Sequence, residues 1–192
     1  MKNEIINKLP EELREHKCSL KKASKDDANS QHMCDSLIEV VNFDKIPPVY
    51  AKGKGWSGVP LSNDALYIES ENLWHFIEFK NGEVKKHEVY RKIYDSLIML
   101  VEMNIIPNLE FSRKHITYTL VYNSDKYSRA KKSVERDKVY GHTRRMAKKE
   151  RMMFEIEKFE KYLFSETHTY TVDEFNENFV SRIEKFEGED TE

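Results

Sequence analysis

Two carboxylates and a lysine lie on adjacent predicted strands within residues 64–80. Apolar residues run on both sides of Ser70–Asn72, a pattern typical of a β-hairpin. If the turn centres on the middle of these three residues, Asp64 lies opposite Glu78, with the two Cβ atoms about 5 Å apart. Side chains alternate along a strand, so Lys80 shares the face of Glu78.

Opposed carboxylates in an apolar hairpin repel one another and lose hydration. A positive charge is therefore expected beside Asp64 and Glu78. A divalent cation with oxygen ligands is one candidate, and the ammonium group of Lys80 is the other.

This arrangement resembles a known family. Asp64, followed after 13 residues by Glu78-Phe79-Lys80, is similar to the motif of the PD-(D/E)XK nuclease superfamily. The predicted order of elements also resembles the αβββαβ core of that superfamily. The resemblance implies that Asp64, Glu78 and the Phe79 carbonyl hold Mg²⁺ or Mn²⁺, while Lys80 orients and polarises the attacking water. Asn63 stands where the motif has proline.

Context separates this triplet from two others of the same kind. Glu15-His16-Lys17 and Glu83-Val84-Lys85 also have an acid two residues before a lysine. Only Glu78 ends an apolar strand that follows a strand beginning with aspartate. The competing interpretation is an ordinary ion pair between Glu78 and Lys80.

A second resemblance extends over about residues 34–180. The stretch IEFKNG followed by KIYDSL is similar to a group of proteins from Gram-positive bacteria and their phages, but this similarity supplies no function.

Two further residues are candidates for the same site. Some superfamily members place an additional acid on a preceding element, and Glu39 is the best candidate here. Lys92 lies on the polar face of the helix after the hairpin, where superfamily members often use a polar residue. Glu69 is expected to face solvent, and His75 is expected to face away from Glu78.

The other elements follow from periodicity and turn residues. We predict a strand at 37–43, although a helix is the competing interpretation because Met33, Leu37, Val40 and Val41 also fit helical spacing. We also predict a loop at 44–63, an amphipathic helix at 85–103, a strand at 115–123, an amphipathic segment at 154–164, and a last helix opened by a Thr171–Glu174 capping box. These elements predict an α/β (α+β) fold with a mixed central sheet of about four strands, flanking helices and a helical C-terminal part. The resemblance makes its core restriction-endonuclease-like.

The chain divides into three predicted segments. Residues 1–33 form an N-terminal helical or mobile segment, and residues 34–124 form the PD-(D/E)XK-like core. Residues 125–192 carry a basic segment and C-terminal helices that pack on the same domain.

A net charge of −2 conceals two opposed segments. Residues 126–151 hold eleven Lys or Arg and three acids, whereas residues 155–192 hold twelve acids and four Lys or Arg. The first composition is typical of a surface that contacts nucleic-acid phosphates, although a solvated charged segment is an equal alternative. The candidate nucleic-acid-binding residues are Lys52, Lys54, Lys131, Lys132, Arg144, Arg145, Lys148 and Lys149.

Composition excludes several protein classes. Hydrophobic residues make up 39% of the chain, which is enough for a core, and no apolar run reaches the length of a membrane span. Two cysteines and no leader-like apolar segment indicate a cytoplasmic protein.

Three functions remain. The first is a metal-dependent nuclease acting on DNA or RNA, in host defence or a mobile element. The alternative is an inactive protein of the same fold that binds a protein partner, as an immunity or antagonist protein does. The third and weaker hypothesis is a regulator that binds nucleic acid through the basic segment alone.

Overall fold

A mixed sheet of six strands forms the centre of the molecule in the computed structural model, which describes residues 9–26, 29–126 and 153–189. In chain order the strands are β1 (Lys17–Ser19), β4 (Glu39–Asn42), β5 (Ala65–Ser70), β6 (Leu73–Lys80), β7 (Ile116–Tyr122) and β8 (Glu166–Thr171). Neighbours pair in this same order. The pairs from β1 to β6 are antiparallel, whereas β6–β7 and β7–β8 are parallel. Strands β2 (Lys25–Asp26) and β3 (Gln31–His32) form a separate small hairpin.

Helices cover both faces of the sheet. They are α1 (Glu11–Arg14), α2 (Leu20–Ala23), α3 (Ile46–Lys54), α4 (Lys86–Glu102), α5 (Leu109–His115), α6 (Val172–Phe175) and α7 (Ser181–Glu189). A 3₁₀ turn at Phe43–Lys45 precedes α3, 3₁₀ turns occupy Met153–Phe159, and a π-helical stretch at Asn176–Val180 joins α6 to α7. Among the described residues, no helix is long and apolar enough to cross a membrane.

Alternation along the strands creates two cores. On one face, Phe76 and Leu66 of the hairpin pack with Val89, Ile93 and Leu97 of α4. The opposite face carries side chains such as Tyr67, Ile77 and Phe79 against the C-terminal helices. Helix α4 connects β6 to the parallel strand β7, as expected of a crossover helix. Because α4 lies over the Phe76 face, its polar residues can reach the end of the hairpin.

Several predicted elements are confirmed. The hairpin, the strand before it, helix α4, strand β7 and the capping box at Thr171 and Glu174 all occur. Each has a strong local pattern, with period 2 in the strands and period 3.6 in the helix.

The prediction of about four strands is wrong because β1 and β8 were not recognised. Strand β1 has only three residues and gains its order by pairing with β4. Strand β8 has the sequence ETHTYT, is mostly half-buried, and pairs on one side with β7. Edge strands of this kind are stabilised by pairing rather than by an apolar pattern of their own. As a result the first and last predicted segments both contribute strands to the sheet, and the C-terminal part is not purely helical.

The predicted loop at 44–63 is also wrong over its first half. Residues Ile46–Lys54 form α3, with Pro47 and Pro48 in its first turn and Gly55 at its C-terminal end with a φ of 70°. Proline lacks an N–H that the first turn of a helix does not need, and glycine readily adopts positive φ. The proline and glycine residues therefore begin and end a helix here.

Candidate active site

The register of the β5–β6 hairpin brings Asp64 and Glu78 together. Ala65 pairs with Ile77 and Leu66 pairs with Phe76, as predicted. One further step sets Asp64 opposite Glu78 at the open end of the hairpin. The Asp64 Oδ2 accepts a hydrogen bond from the main-chain N–H of Phe79 at 2.6 Å. This bond fixes the Asp64 carboxylate against β6.

Two lysines surround the Glu78 carboxylate, which is fully buried. The Lys92 Nζ, from α4, lies 2.9 Å from Asp64 Oδ1 and 2.8 Å from Glu78 Oε1. The Lys80 Nζ lies 3.0 Å from the same Glu78 oxygen. The positive charge expected beside the two carboxylates is therefore supplied by both lysines, and Lys92 is the one that bridges them.

A third carboxylate, that of Asp44, belongs to the same electrostatic cluster and was not singled out from the sequence. Asp44 lies in the 3₁₀ turn after β4, and its Oδ1 accepts a hydrogen bond of 2.8 Å from the Ser62 hydroxyl. Burial and the nearby Asp64 charge raise the pKa of Asp44. The available signal was its place directly after the strand predicted at 37–43. The N–H of Phe43 donates to the Asp64 carbonyl, which brings the end of that strand to the site.

Helix α4 also holds the chain segment that leads into Asp64. The Leu61 N–H donates to Asp95 Oδ2 at 2.9 Å, and the Asn63 N–H donates to the Ser96 hydroxyl at 3.0 Å. Lys92, Asp95 and Ser96 are three and four residues apart, so they occupy neighbouring positions around one turn of the helix. One turn of α4 thus supplies the Lys92 ammonium and also positions the backbone that leads into Asp64, whose carboxylate Lys92 contacts.

Burial and charge set the protonation of the central pair. Burial and the Asp64 charge raise the pKa of Glu78 to about 7, because they outweigh the two lysines. Burial alone would lower the pKa of Lys92, but Glu78 and Asp64 raise it above its usual range. Lys92 therefore remains an ammonium ion at neutral pH.

Several buried polar atoms in the described part of the chain have no hydrogen-bond partner, and two of them belong to the charge cluster around Glu78. Glu78 Oε1 lies close to two ammonium groups but receives a hydrogen bond from neither, and the buried Tyr118 hydroxyl has no hydrogen-bond partner. Burial and the two carboxylates raise the pKa of Tyr118 well above its usual range, which keeps this hydroxyl protonated. Buried polar atoms of this kind are normally satisfied by water or a ligand.

The oxygen donors match the preference of Mg²⁺ and Mn²⁺. Magnesium sites commonly combine one or two carboxylates with water, and Asp64 and Glu78 can provide that pair. Within the described ranges, no group of three or more His, Cys, Asp or Glu side chains is arranged to hold a metal ion. The Lys92 ammonium lies between the two carboxylates, so a metal bound by both would have to displace it. The donor chemistry fits a magnesium-type ion, on the condition that Lys92 moves.

The remaining candidates lie elsewhere or have other partners. Glu39 does not lie with the two carboxylates: it is half-exposed and pairs with Lys17 at 3.2 Å, three residues before the end of β4 that reaches the site. Lys54 ends α3 and bonds Glu102 at 2.6 Å, while Lys52 is exposed on the same helix. The other predicted basic residues lie outside the described residues: Lys131, Lys132, Arg144, Arg145, Lys148 and Lys149.

Phe79 has two separate roles in the structure. Its N–H holds Asp64, and its ring packs edge-on against Phe175 in the opposite core at 5.6 Å. Its carbonyl remains a predicted metal ligand.

A second polar cluster occupies the opposite face of β6. His75 faces away from Glu78, as predicted, and its Nε2 lies 3.0 Å from Glu69 Oε2. Glu69 is only partly exposed and forms two hydrogen bonds with Arg182 of α7, at 2.7 and 2.8 Å. The expectation that Glu69 faces solvent is therefore wrong, because α7 folds over the end of β5.

Comparison with known proteins identifies no relative that could assign a role to these residues. No protein-family model, curated protein or solved structure matches the chain. The residues themselves therefore carry the functional argument.

Proposed function

We propose that the protein is a Mg²⁺- or Mn²⁺-dependent nuclease of the PD-(D/E)XK type that hydrolyses phosphodiester bonds of DNA or RNA. One observation carries this proposal: Asp64 and Glu78 meet at the open end of the hairpin, next to both Lys80 and Lys92. Apposed buried carboxylates repel one another and lose hydration, which lowers stability, so a functional role would explain why they are paired here. Holding a cation for phosphoryl chemistry is such a role.

The chain's own residues have distinct roles in this proposal. Asp64, Glu78 and the Phe79 carbonyl hold the metal, which when bound supplies charge stabilisation and an acidic water. Lys80 places a positive charge beside the attacking water and the developing charge on the phosphoryl oxygens. Asp44 adds negative charge that favours cation binding, and Lys92 holds the carboxylates in place until the metal enters.

The topology supports a restriction-endonuclease-like core. Three antiparallel strands, β4, β5 and β6, are followed by the crossover helix α4 and by the parallel strand β7. This order is similar to the αβββαβ pattern of the superfamily. Asp64 directly precedes β5, and Glu78 lies near the end of β6. We infer that β1 and β8 extend that core at its two edges.

A second candidate function rests on the position of Lys92. Its ammonium already lies within 3.0 Å of both carboxylates, so the site can be balanced by the chain itself. Such an arrangement favours an inactive protein of the same fold that acts by binding a protein partner.

Metal-dependent cleavage separates the two functions. Purified protein is incubated with plasmid, single-stranded DNA and RNA in Mg²⁺, in Mn²⁺ and in EDTA. The variants Asp64→Asn, Glu78→Gln and Lys80→Met should lose cleavage, whereas the exposed Glu83→Gln, from a similar acid-x-Lys triplet, should retain it. Unfolding curves of each variant confirm that the loss of activity is not a loss of fold.

Two outcomes would contradict the nuclease proposal. One is the absence of cleavage of every substrate in both metals, together with an unchanged melting temperature on metal addition. The other is cleavage that survives in Asp64→Asn and Glu78→Gln, which would point to a contaminating nuclease.

A further inference from the structure

The Tyr118 hydroxyl is a buried polar group near the candidate active site to which the proposed mechanism gives no role. Tyr118 lies on β7 and is completely buried, and its hydroxyl forms no hydrogen bond with any residue that the structure describes. A buried hydroxyl without a partner costs free energy that a phenylalanine at the same position would avoid. The hydroxyl therefore points to a bound molecule that it contacts.

The strand register places Tyr118 on the same face of the sheet as Glu78. Tyr118 pairs with Phe76 in the parallel pair β6–β7. Glu78 is two residues further along β6 and pairs with Leu120. Side chains two residues apart share a face, so Tyr118 and Glu78 are diagonal neighbours on adjacent strands. Besides burial, the charges of Glu78 and Asp64 raise the pKa of Tyr118, which shows that its hydroxyl senses both carboxylates.

The packing around the Tyr118 ring is apolar. The ring stacks on Phe164 with centroids 5.2 Å apart, and Phe164 meets Phe76 edge-on at 6.5 Å. All three belong to the apolar core that also contains Val89 and Ile93 of α4. These side chains hold the ring in place but offer no acceptor to its hydroxyl. The polar groups that act on this hydroxyl are therefore the two carboxylates.

Tyr118 and Glu78 have complementary hydrogen-bonding capacity that is not used. The Tyr118 hydroxyl has a hydrogen to donate. Glu78 Oε1 receives no hydrogen bond, although the ammonium groups of Lys80 and Lys92 lie 3.0 and 2.8 Å from it. The hydroxyl and this oxygen do not bond each other. A water molecule accepts a hydrogen bond from one group and donates one to another, so a single water can connect the two.

We propose that Tyr118 and Glu78 bind one water molecule inside the protein, which accepts a hydrogen bond from the Tyr118 hydroxyl and donates one to Glu78 Oε1. Tyr118 is then a positioning residue, because the water fixes the orientation of the Glu78 carboxylate. Groups that orient a metal-binding carboxylate through hydrogen bonds strongly affect metal affinity. The consequence for Mg²⁺ rests on the proposed function, whereas the water site itself does not.

Magnetic relaxation dispersion of the solvent tests the water site in the full chain, without metal or substrate. This measurement counts the water molecules that stay inside a protein for longer than the protein takes to tumble. Tyr118→Phe should hold one such water fewer than the wild type, and it should melt at a lower temperature because Glu78 loses a hydrogen bond. An equal number of long-lived waters in the two proteins, or a higher melting temperature of Tyr118→Phe, would overturn the proposal.

Tyr50→Phe is the matched control, because it removes the hydroxyl of another buried tyrosine. The charged groups near the Tyr50 hydroxyl are Glu102 and Lys54, at the C-terminal ends of α4 and α3. This variant should keep the number of long-lived waters of the wild type. Loss of a water in both variants would assign the signal to a general loosening of the core and would also overturn the proposal.

Binding of Mg²⁺ provides a second measurement and separates this inference from the nuclease proposal. Calorimetry without substrate should show that Tyr118→Phe binds Mg²⁺ about ten-fold more weakly than the wild type and Tyr50→Phe do. Equal Mg²⁺ affinity in all three proteins would overturn the positioning role of Tyr118. A wild type that binds no Mg²⁺ would contradict the nuclease proposal, and the water count would still decide whether Tyr118 and Glu78 share a water.

Discussion

The Lys92 ammonium nitrogen lies 2.8 Å from Oε1 of Glu78, although the two residues come from different elements. Glu78 lies near the end of β6 and has no exposed surface, and Lys92 reaches it from α4, the helix that covers that strand. A buried carboxylate without a partner costs several kcal/mol, so this contact is a condition for folding as well as a feature of the site. It also places a covalently attached cation where the proposed metal would bind.

Replacing Lys92 should reveal this dual role. Lys92→Met leaves Asp64 and Glu78 without their bridging cation, and we expect a loss of about 3–5 kcal/mol in the free energy of unfolding. Mg²⁺ should then raise the melting temperature of the variant more than that of the wild type, because the ammonium no longer competes. Urea and thermal unfolding at neutral pH measure both effects.

The control is Lys85→Met, which removes an exposed lysine directly before the same helix, where Lys85 lies 3.4 Å from Glu88. It should change stability by less than about 1 kcal/mol. If Mg²⁺ shifts wild type and Lys92→Met equally, the ammonium and the metal do not share a position.

Asp44 should contribute negative charge to metal binding at a cost in stability. Its pKa is raised by burial and by Asp64, so its ionised form is disfavoured in the folded protein. Asp44→Asn should leave stability unchanged or raise it by about 1 kcal/mol, while weakening the Mg²⁺-induced rise in melting temperature. A variant that is less stable yet binds Mg²⁺ as well as the wild type does would show that Asp44 only anchors Ser62.

Ser96 should affect activity through the backbone that it holds. Its hydroxyl accepts the buried N–H of Asn63, next to Asp64. Ser96→Ala leaves that N–H without an acceptor, so we expect a loss of about 1–3 kcal/mol and a reduced rate of cleavage.

Ser112→Ala separates the two consequences. Ser112 is also fully buried on a helix and donates to the Leu163 carbonyl at 2.7 Å, away from the carboxylates. Its removal should lower stability by a similar amount with cleavage intact. Equal losses of activity in the two variants would mean that stability alone limits the enzyme.

The Glu69–Arg182 pair should stabilise the protein only above acidic pH. Burial alone would raise the pKa of Glu69, but Arg182 and His75 bring it to about 2, below the 4.5 of an unfolded glutamate. A lowered folded pKa means that the stabilisation is complete above pH 4.5 and is lost as the pH falls toward 2. Because Glu69 is partly exposed and screened, we expect about 1–2 kcal/mol.

Urea unfolding of Arg182→Met and wild type at pH 6 and pH 3 measures this difference. The two proteins should differ at pH 6 and converge as the pH is lowered. The Arg182 guanidinium carbon also lies 5.9 Å from the centroid of the Phe179 ring, and a difference that is independent of pH would assign the effect of Arg182 to that contact instead.

The parts of the site that depend on neighbours along the chain could be predicted from the sequence. Alternating apolar residues around a short turn fixed the register of the β5–β6 hairpin, which sets Asp64 opposite Glu78. The 3.6-residue period of α4 predicted that Lys92 lies on its polar face. Local periodicity is sufficient for these features because strand and helix geometry repeat every few residues.

Which groups from distant elements meet could not be predicted from the sequence and is set by tertiary packing. It joined Lys92 to Glu78, placed Asp44 near Asp64, and separated Glu39 from the site by pairing it with Lys17. It also turned the proline-rich segment before Trp56 into helix α3 and added the edge strands β1 and β8. These outcomes depend on long-range packing and strand pairing, whose energies are not encoded in any short stretch of sequence.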